Sequence, residues 1–291
     1  TEMFADDELP LVRSGVINGE AKNIDKGMMV STFLMGSKEV YDFIDDNPGV
    51  LMKDVGYTND PYIISKNDRV TAINSALQVD ITGQVSADSL GTKFWSGVGG
   101  QIDFVYGASL SKGGKAIITM PSITNKGVSK IVDKLLPGAG VVTTRNHIHW
   151  FVTEYGAVDL YGKSLQERAR ALRRLLPPHT IIIKSVPIAS EEDLNRTSDY
   201  ADTCDYILFE TRCTTYGGSG RRFDWSLLDR YRGPLPFILS GGIGLDAVYT
   251  IAAMRHPMMA GIDLNSRFET APALKDAAKI RQFINELNQR L

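Results

Sequence analysis

The chain has 291 residues, of which 43% are hydrophobic and 23% charged, the composition of a soluble globular protein with room for two domains. Its formal net charge of -2 gives no electrostatic reason to expect a nucleic acid or an anionic membrane as partner. No apolar run approaches the ~20 residues of a membrane span.

The sequence starts at Thr1 rather than Met, and this reads as a chain that begins inside a longer protein. The first half alternates strand-like and helix-like stretches. Residues 27–36 (GMMVSTFLMG) read as a buried strand bounded by glycines, and 37–46 (SKEVYDFIDD) as a capped helix. Residues 70–81 (VTAINSALQVDI) alternate like one strand, closed by a turn at Thr82-Gly83. Stretches 115–122 and 141–144 read as further buried strands. His147 and His149 would share one face of a strand; two histidines make a weak metal site, so a structural or substrate-lining role is expected and no metal.

The glycine-dense run 96–107 (SGVGGQIDFVYG) is the chemical signal of this half. Glycines let backbone N–H groups approach a ligand, and a following helix adds its positive end. Such a loop can stabilise an oxyanion, cradle a phosphate, or simply form a tight turn. Glu2, beside a terminus, reads by position alone as a solvated residue.

Residues 163–178 (KSLQERARALRRLLPP) read as one helix. Ser164 and Glu167 form a capping box, Leu165, Ala169, Leu172 and Leu176 an apolar stripe, and Pro177-Pro178 the stop. Arg168, Arg170, Arg173 and Arg174 read as a solvated face.

Beyond this helix the pattern becomes regular. Strands are expected at 180–188, 204–211, 236–242 and 259–266, with helices at 190–203, 224–231, 245–256 and 275–291. Ser190 is the expected N-cap of the first of these, with Asp193 three residues on. Four consecutive βα units imply a parallel sheet with helices outside it. Ligands of such folds sit at the C-terminal strand ends. Those ends carry Glu210, the loop 216–225 with Gly217 and Gly218, then Gly241, Gly242 and Gly244, and Asn265, Ser266 and Arg267. The last two groups suit a phosphate through backbone N–H groups and a guanidinium, although each glycine also fits a tight βα turn. Four strands do not close a barrel, so 180–188 and 259–266 are expected to be unpaired edges. Cys204 and Cys213 match neither a metal pair nor a disulfide framework, so reduced thiols and a cytoplasmic location are expected.

Two resemblances go further. The stretches TEMFADDELPLVRSGVI, TFLMGSKEVYDFID, GYTNDP, INSALQVDITGQV, SGVGGQIDFVYGA, SKGGKAIITMPS and TRNHIHWFVTEYGAVDLYGKSLQERARA, spread over 1–171, resemble the C-terminal lobe of family I CoA-transferases. Within that family they are most similar to the 4-hydroxybutyrate CoA-transferase / acetyl-CoA hydrolase group. The resemblance implies an α/β lobe, an acyl-CoA and a carboxylate as substrates, and coenzyme A passing through the site. It implies Glu2 as the nucleophile that becomes a mixed anhydride and then an enzyme–CoA thioester. It also implies Gly97, Gly99 and Gly100 as the oxyanion loop, with Asn59 and Glu154 lining the site.

The stretches LRRLLPPHTIIIKSV, DYILFETRC, YGGSGRRFDWSLL, FILSGGIG and GIDLNSRFETAPALKDAAKIRQFI, spread over 172–291, resemble the C-terminal half of phosphoribosylanthranilate isomerase, a tryptophan-biosynthesis enzyme. This implies four βα units of a TIM-type half barrel, a sugar-phosphate ligand, and an Amadori rearrangement by a general acid and a general base. Glu210 stands where that family has its acidic aspartate, one methylene longer. The family's basic cysteine lies on an earlier barrel strand, and neither Cys204 nor Cys213 matches it. The expectation is a two-part α/β chain, 1–171 and 172–291. Three readings follow: a CoA-transferase lobe, an isomerase half barrel with Glu210 as its acid, or a non-catalytic chain that binds phosphate at most. For the open edges, either a second copy completes the barrel as a homodimer, or the first lobe's strands cover them, or they aggregate.

Overall fold

The computed structural model describes residues 1–212, 220–271 and 274–291. The expectations for Cys213, Gly217 and Gly218 lie outside the described residues. The chain folds as two compact units, Thr1–Pro178 and His179–Leu291.

The first unit opens with β1 (Met3–Phe4), α1 (Leu9–Arg13), β2 (Met29–Ser31) and β3 (Phe33–Leu34). The single strand expected over 27–36 is therefore two. β3 pairs with β1, whereas β2 pairs with β4 (Val50–Met52), both in parallel. The break has a cause: the Glu2 carbonyl accepts from the backbone N–H groups of Thr32 and Phe33 and from Ser31 Oγ, at 3.0, 3.2 and 2.9 Å. Glu2 is thus pinned by its own backbone rather than loosely solvated. Between these strands lies α2 (Lys38–Ile44), which buries Val40 against Phe4 and Leu9.

Two short helices follow, α3 (Val55–Thr58) and α4 (Pro61–Ser65), with Asn59 at the junction. Asp60 caps α4 by accepting from the Tyr62 and Ile63 N–H groups. The strand expected over 70–81 also divides, into β5 (Thr71–Ser75) and β6 (Gln78–Asp80), which join different sheets. β6 is wholly buried and pairs with β7 (Val85–Ser86), and the turn between them is the expected one, with Gly83 at φ +93°. The hairpin β8 (Ser89–Leu90) and β9 (Lys93–Phe94) leads into the glycine-rich loop and α5 (Gln101–Leu110). α5 packs on α4 at Gly107, where a Cβ would come within 2.6 Å of Ile64 Cγ2.

β10 (Lys115–Thr119), β11 (Ile131–Val132), β12 (Trp150–Thr153) and β13 (Gly156–Asp159) complete two sheets, ordered β13-β12-β10-β5 and β11-β6-β7. Residues 141–144 form no strand; Thr143 makes only an isolated bridge to Val85. His147 and His149 precede β12 instead of lying on it. Their rings meet Tyr106 and Tyr161 respectively, so they serve separate packing contacts.

α6 (Leu165–Arg173) carries both halves of the expected capping box. Its expected apolar stripe is buried toward the C-terminal end: Leu172 lies in the first unit's core with Ala171 and Leu175, and Leu176 packs against it, whereas Leu165 at the helix start is 49% exposed. Arg168 is not a solvated residue either. Its guanidinium donates to the carbonyls of Lys163, Thr82 and Arg145, tying the helix start to two loops.

The second unit is built on a parallel sheet, β14 (Ile183–Ile188), β15 (Tyr206–Thr211), β16 (Phe237–Leu239) and β17 (Met259–Ile262), in sequence order. The row Val186, Phe209, Leu239 and Ile262 lies in register and faces the core with the helices. α7 (Glu192–Asn195) and α8 (Val248–Ala253) are shorter than expected, because 3-10 turns take the stretches 196–200 and 245–247; the helix expected over 224–231 is a 3-10 turn over 225–230, and α9 (Ala277–Asn288) starts after its N-cap Asp276. Among the described residues β14 and β17 have one neighbour each, the open edges expected of four strands.

Asp193 locks the β14–α7 turn. Its carboxylate accepts from the Ala189 and Ser190 N–H groups at 2.9 and 3.0 Å and pairs with Arg212 at 2.5 Å. Burial pushes its pKa up, but these donors outweigh burial and hold it below the ordinary carboxylate value. A depressed carboxyl stabilises fully above the ordinary range and loses that contribution as pH falls through its folded pKa. Asp193→Asn is expected to cost about 1–3 kcal/mol at neutral pH and to flatten the acid limb of the stability profile. Urea melts between neutral pH and about pH 3 check both.

Candidate functional site

In the first unit, the two-residue strand β1 holds the segment on which Glu2 stands, and the α3–α4 junction and the start of α5 converge on its carboxylate. Asn59 Nδ2 donates to Glu2 Oε1 at 3.1 Å, and the Gly100 N–H donates to Oε2 at 3.3 Å. Gly100 is the N-cap of α5, so the positive end of a ten-residue helix faces the carboxylate. The approach requires glycine: a Cβ on Gly100 would lie 2.4 Å from Asn59 Nδ2 and 2.9 Å from Glu2 Oε2.

Three of the sequence-derived residues, Glu2, Asn59 and Gly100, are therefore brought together. Gly99 borders them, its Cβ direction running 4.0 Å from Glu2 Oε2, whereas Gly97 faces open space. Glu154 has other partners. It follows β12 and accepts from Ser122 Oγ and Ser122 N–H at 2.6 and 2.8 Å. Those two bonds, and the charge of Lys130, hold its pKa below the usual value.

Asp103 and Thr58 escaped the sequence reading. Asp103 is the third residue of α5, and burial, together with the nearby Glu2 charge, raises its pKa against the lowering influence of Asn59. Thr58 Oγ1 donates to Asn59 Oδ1 at 3.0 Å. The available signal was spacing: Asp103 lies three residues after Gly100 within the same glycine-rich motif.

In the second unit the expected strand-end residues gather around Asp246. Gly241 and Gly242 take φ +88° and +67°, and a Cβ on Gly241 would strike Thr211 Oγ1 at 2.5 Å. The Gly242 carbonyl accepts from Arg222 and Arg267 at 2.9 and 3.1 Å. Both guanidiniums also pair with Asp246, at 2.7 and 3.2 Å. Burial pushes Asp246 up, but the two arginines outweigh it and its pKa is lowered. Arg267 packs beneath Gly244, where a Cβ would come within 2.8 Å of the guanidinium carbon. Asn265 Oδ1 accepts from Lys275 at 2.6 Å, and Ser266 begins a 3-10 turn. Glu210 lies apart from this cluster, with its carboxylate accepting from Ser185 Oγ at 2.5 Å. Among the described residues no group of three or more His, Cys, Asp or Glu side chains is arranged to hold a metal ion. No helix of the described residues is long and apolar enough to cross a membrane.

Comparison with known proteins follows the same division. Residues 36–179 match the acetyl-CoA hydrolase/transferase C-terminal domain, and 146–286 match N-(5'-phosphoribosyl)anthranilate (PRA) isomerase. A PRA isomerase of Rhodopseudomonas palustris is 30% identical over 222 residues, which cover 74% of this chain and 93% of that protein. The chain belongs to the PRA isomerase family, and a CoA-transferase C-terminal domain precedes its isomerase domain. For that preceding domain, the 4-hydroxybutyrate coenzyme A transferase of Clostridium kluyveri is 51% identical over 179 residues, 61% of this chain and 42% of the relative. The solved structure of RipA from Yersinia pestis superposes with a TM-score of 0.58 at 42% identity, covering 61% of this chain and 40% of that one. The first-listed CoA-transferases are thus matched over only about two fifths of their length.

The close approach at Gly100 gives a direct test. In Gly100→Ala the atoms that must yield are the far ends of two side chains, so stability is expected to change by less than about 1 kcal/mol. The Glu2 carboxylate, however, is expected to leave its two donors. A denaturant melt and a crystal structure of the variant read the two outcomes separately.

Proposed function

We propose that the first unit carries out the covalent step of CoA transfer, with Glu2 as nucleophile. The observation that carries this reading is the Glu2 carboxylate held between Asn59 Nδ2 and the Gly100 N–H. The carboxylate attacks the thioester carbonyl of an acyl-CoA, CoA thiolate leaves, and a mixed anhydride forms on Glu2. The thiolate then attacks the glutamyl carbonyl and releases the acyl group as a carboxylate, leaving a Glu2–CoA thioester. An acceptor carboxylate reverses both steps. In the second attack the oxyanion develops on the Glu2 oxygen that is not acylated, Oε1 facing Asn59 or Oε2 facing Gly100, so one of the two N–H groups already points at it. What the nucleophile needs is position, which the two donors supply. The similarity to the C. kluyveri 4-hydroxybutyrate coenzyme A transferase favours 4-hydroxybutyrate as one carboxylate, and that to the succinyl-CoA:acetate CoA transferase of Fasciola hepatica favours acetate as the other.

With acetyl-CoA or 4-hydroxybutyryl-CoA present, hydroxylamine is expected to trap an adduct on the Glu2 peptide, read by mass spectrometry. Glu2→Gln abolishes it, and Asn59→Ala lowers its rate of formation about 100- to 1000-fold. A wild-type chain that gives no adduct on Glu2 overturns the reading.

The open edges of the second unit support a companion reading. β14 and β17 stand at opposite sides of a parallel four-stranded sheet. A second copy that lays its β14 along this β17, and its β17 along this β14, makes eight parallel strands. The face so enclosed carries Glu210, Ser185, Leu208 and Ile238, on the side of the sheet opposite the helix-packed row. There Glu210 would serve as the acid toward a sugar phosphate, with Gly241, Gly242, Gly244, Asn265, Ser266 and Arg267 as phosphate-binding residues. Light scattering is expected to give twice the monomer mass, and Ile183→Lys on the β14 edge to return it to the monomer. Inorganic phosphate is expected to raise the melting temperature. A monomer that phosphate leaves unchanged overturns this reading.

A further inference from the structure

We propose that Asp25 is a positioning residue for Glu2: through Tyr57 it holds the helix end that carries Asn59. The inference rests on the reading of Glu2 as nucleophile. Asn59 is the C-cap of α3, a helix of four residues with no side-chain bond at its N-cap. A single turn does not hold its own shape, because forming the first hydrogen-bonded turn costs more than it returns. Its direction has to come from outside. Tyr57 Oη donates to Asp25 Oδ2 at 2.7 Å, across 32 residues of chain. Among the described residues this is the one side-chain hydrogen bond that ties α3 to a distant segment. Lys53 Nζ lies over the Tyr57 ring, 5.3 Å from its centroid. The bond to the Asp25 carboxylate raises the pKa of the phenol and so keeps it in its donating form.

The segment that brings Asp25 is itself held in place. Loop 19–28 closes on itself: the Gly27 N–H donates to the Gly19 carbonyl at 2.9 Å, and the Met28 N–H to the Asp25 carbonyl at 3.0 Å. Lys22 Nζ adds a bond to the Met28 carbonyl at 3.0 Å. The loop's second anchor is Asn67, just past α4, whose Oδ1 accepts from the Asn23 and Ile24 N–H groups at 2.8 and 3.2 Å. One loop therefore ties both arms of the α3–α4 pair whose junction is Asn59. Asp25 sits at φ +46°, in the left-handed region that glycine adopts most easily and that Asp and Asn tolerate better than other side chains. A carboxylate kept where glycine would fit more easily points to its side chain as the reason for the position. The bond it secures has little slack. Asn59 Nδ2 lies 3.1 Å from Glu2 Oε1, and a hydrogen bond of that length is lost within about half an ångström.

Substitutions separate the bond from the backbone. Asp25→Gly keeps the left-handed turn and loses the acceptor. Asp25→Asn keeps both, and Tyr57→Phe removes the hydroxyl alone. In the hydroxylamine assay at saturating acyl-CoA, Tyr57→Phe and Asp25→Gly are expected to slow adduct formation about tenfold with KM unchanged. Asp25→Asn is expected to recover most of that rate. If Asp25 served only the shape of its loop, Asp25→Gly would match the wild type. A second readout needs no turnover. In the 15N-labelled full chain, the Asn59 side-chain amide peaks are assigned by their loss in Asn59→Ala. They are expected to move in Tyr57→Phe and in Asp25→Gly, and to return toward their wild-type position in Asp25→Asn. Peaks that stay in place in Tyr57→Phe overturn the proposal, and so does an Asp25→Gly variant that keeps the wild-type rate. A wild type that gives no adduct on Glu2 overturns the nucleophile reading instead, and the Asn59 peaks then still decide whether Asp25 sets Asn59.

Discussion

The first unit is organised by the approach of one backbone N–H to one carboxylate. For the Gly100 N–H to reach Glu2, nothing can stand between α5 and Asn59, and the 2.4 Å a Cβ would leave shows how little room there is. The same demand fixes the other parts. The Glu2 carbonyl is clamped by Ser31, Thr32 and Phe33, so the side chain is delivered to the helix end from a fixed base. Gly107 then lets α5 lie tightly on α4, which keeps the α3–α4 junction, and Asn59 with it, within reach. A fixed carboxylate with donors already in place loses little freedom when it reacts, and that is the advantage of building a site from short helix ends.

The second unit depends on a different constraint. A parallel sheet buries best with both faces covered, and here the buried cluster takes one face, where the rows Val186, Phe209, Leu239, Ile262 and Ile207, Phe237 pack toward the helices. Its strand-end loops are stitched to each other by Arg222, Arg267 and Asp246. These charges satisfy one another, so any anion that enters must compete with an aspartate already in position.

Much of this was legible in the chain itself. The four βα units, their parallel order, the α6 capping box and the conjunction of Glu2, Asn59 and Gly100 follow from pattern and family resemblance. What failed was continuity. Residues 27–36 and 70–81 have the alternation of single strands, yet each breaks and sends its halves to different partners. A period-2 pattern records which side chains face inward, not which strand they pair with. Arg168 was misread because guanidiniums on a helix look solvated until distant carbonyls, here those of Thr82 and Arg145, fold next to them.

The stretch 146–179 is recognised by both family models, so it reads at once as the end of one domain and the beginning of another. In space there is no such ambiguity. Leu172 and Leu175 are sealed into the first unit's core, and the compact units divide only after Pro178. Ancestry and cohesion thus draw their borders in different places. A helix can inherit its letters from one lineage and spend its hydrophobic face on another, because what a neighbouring core requires of it is leucine at the right period and nothing of its history.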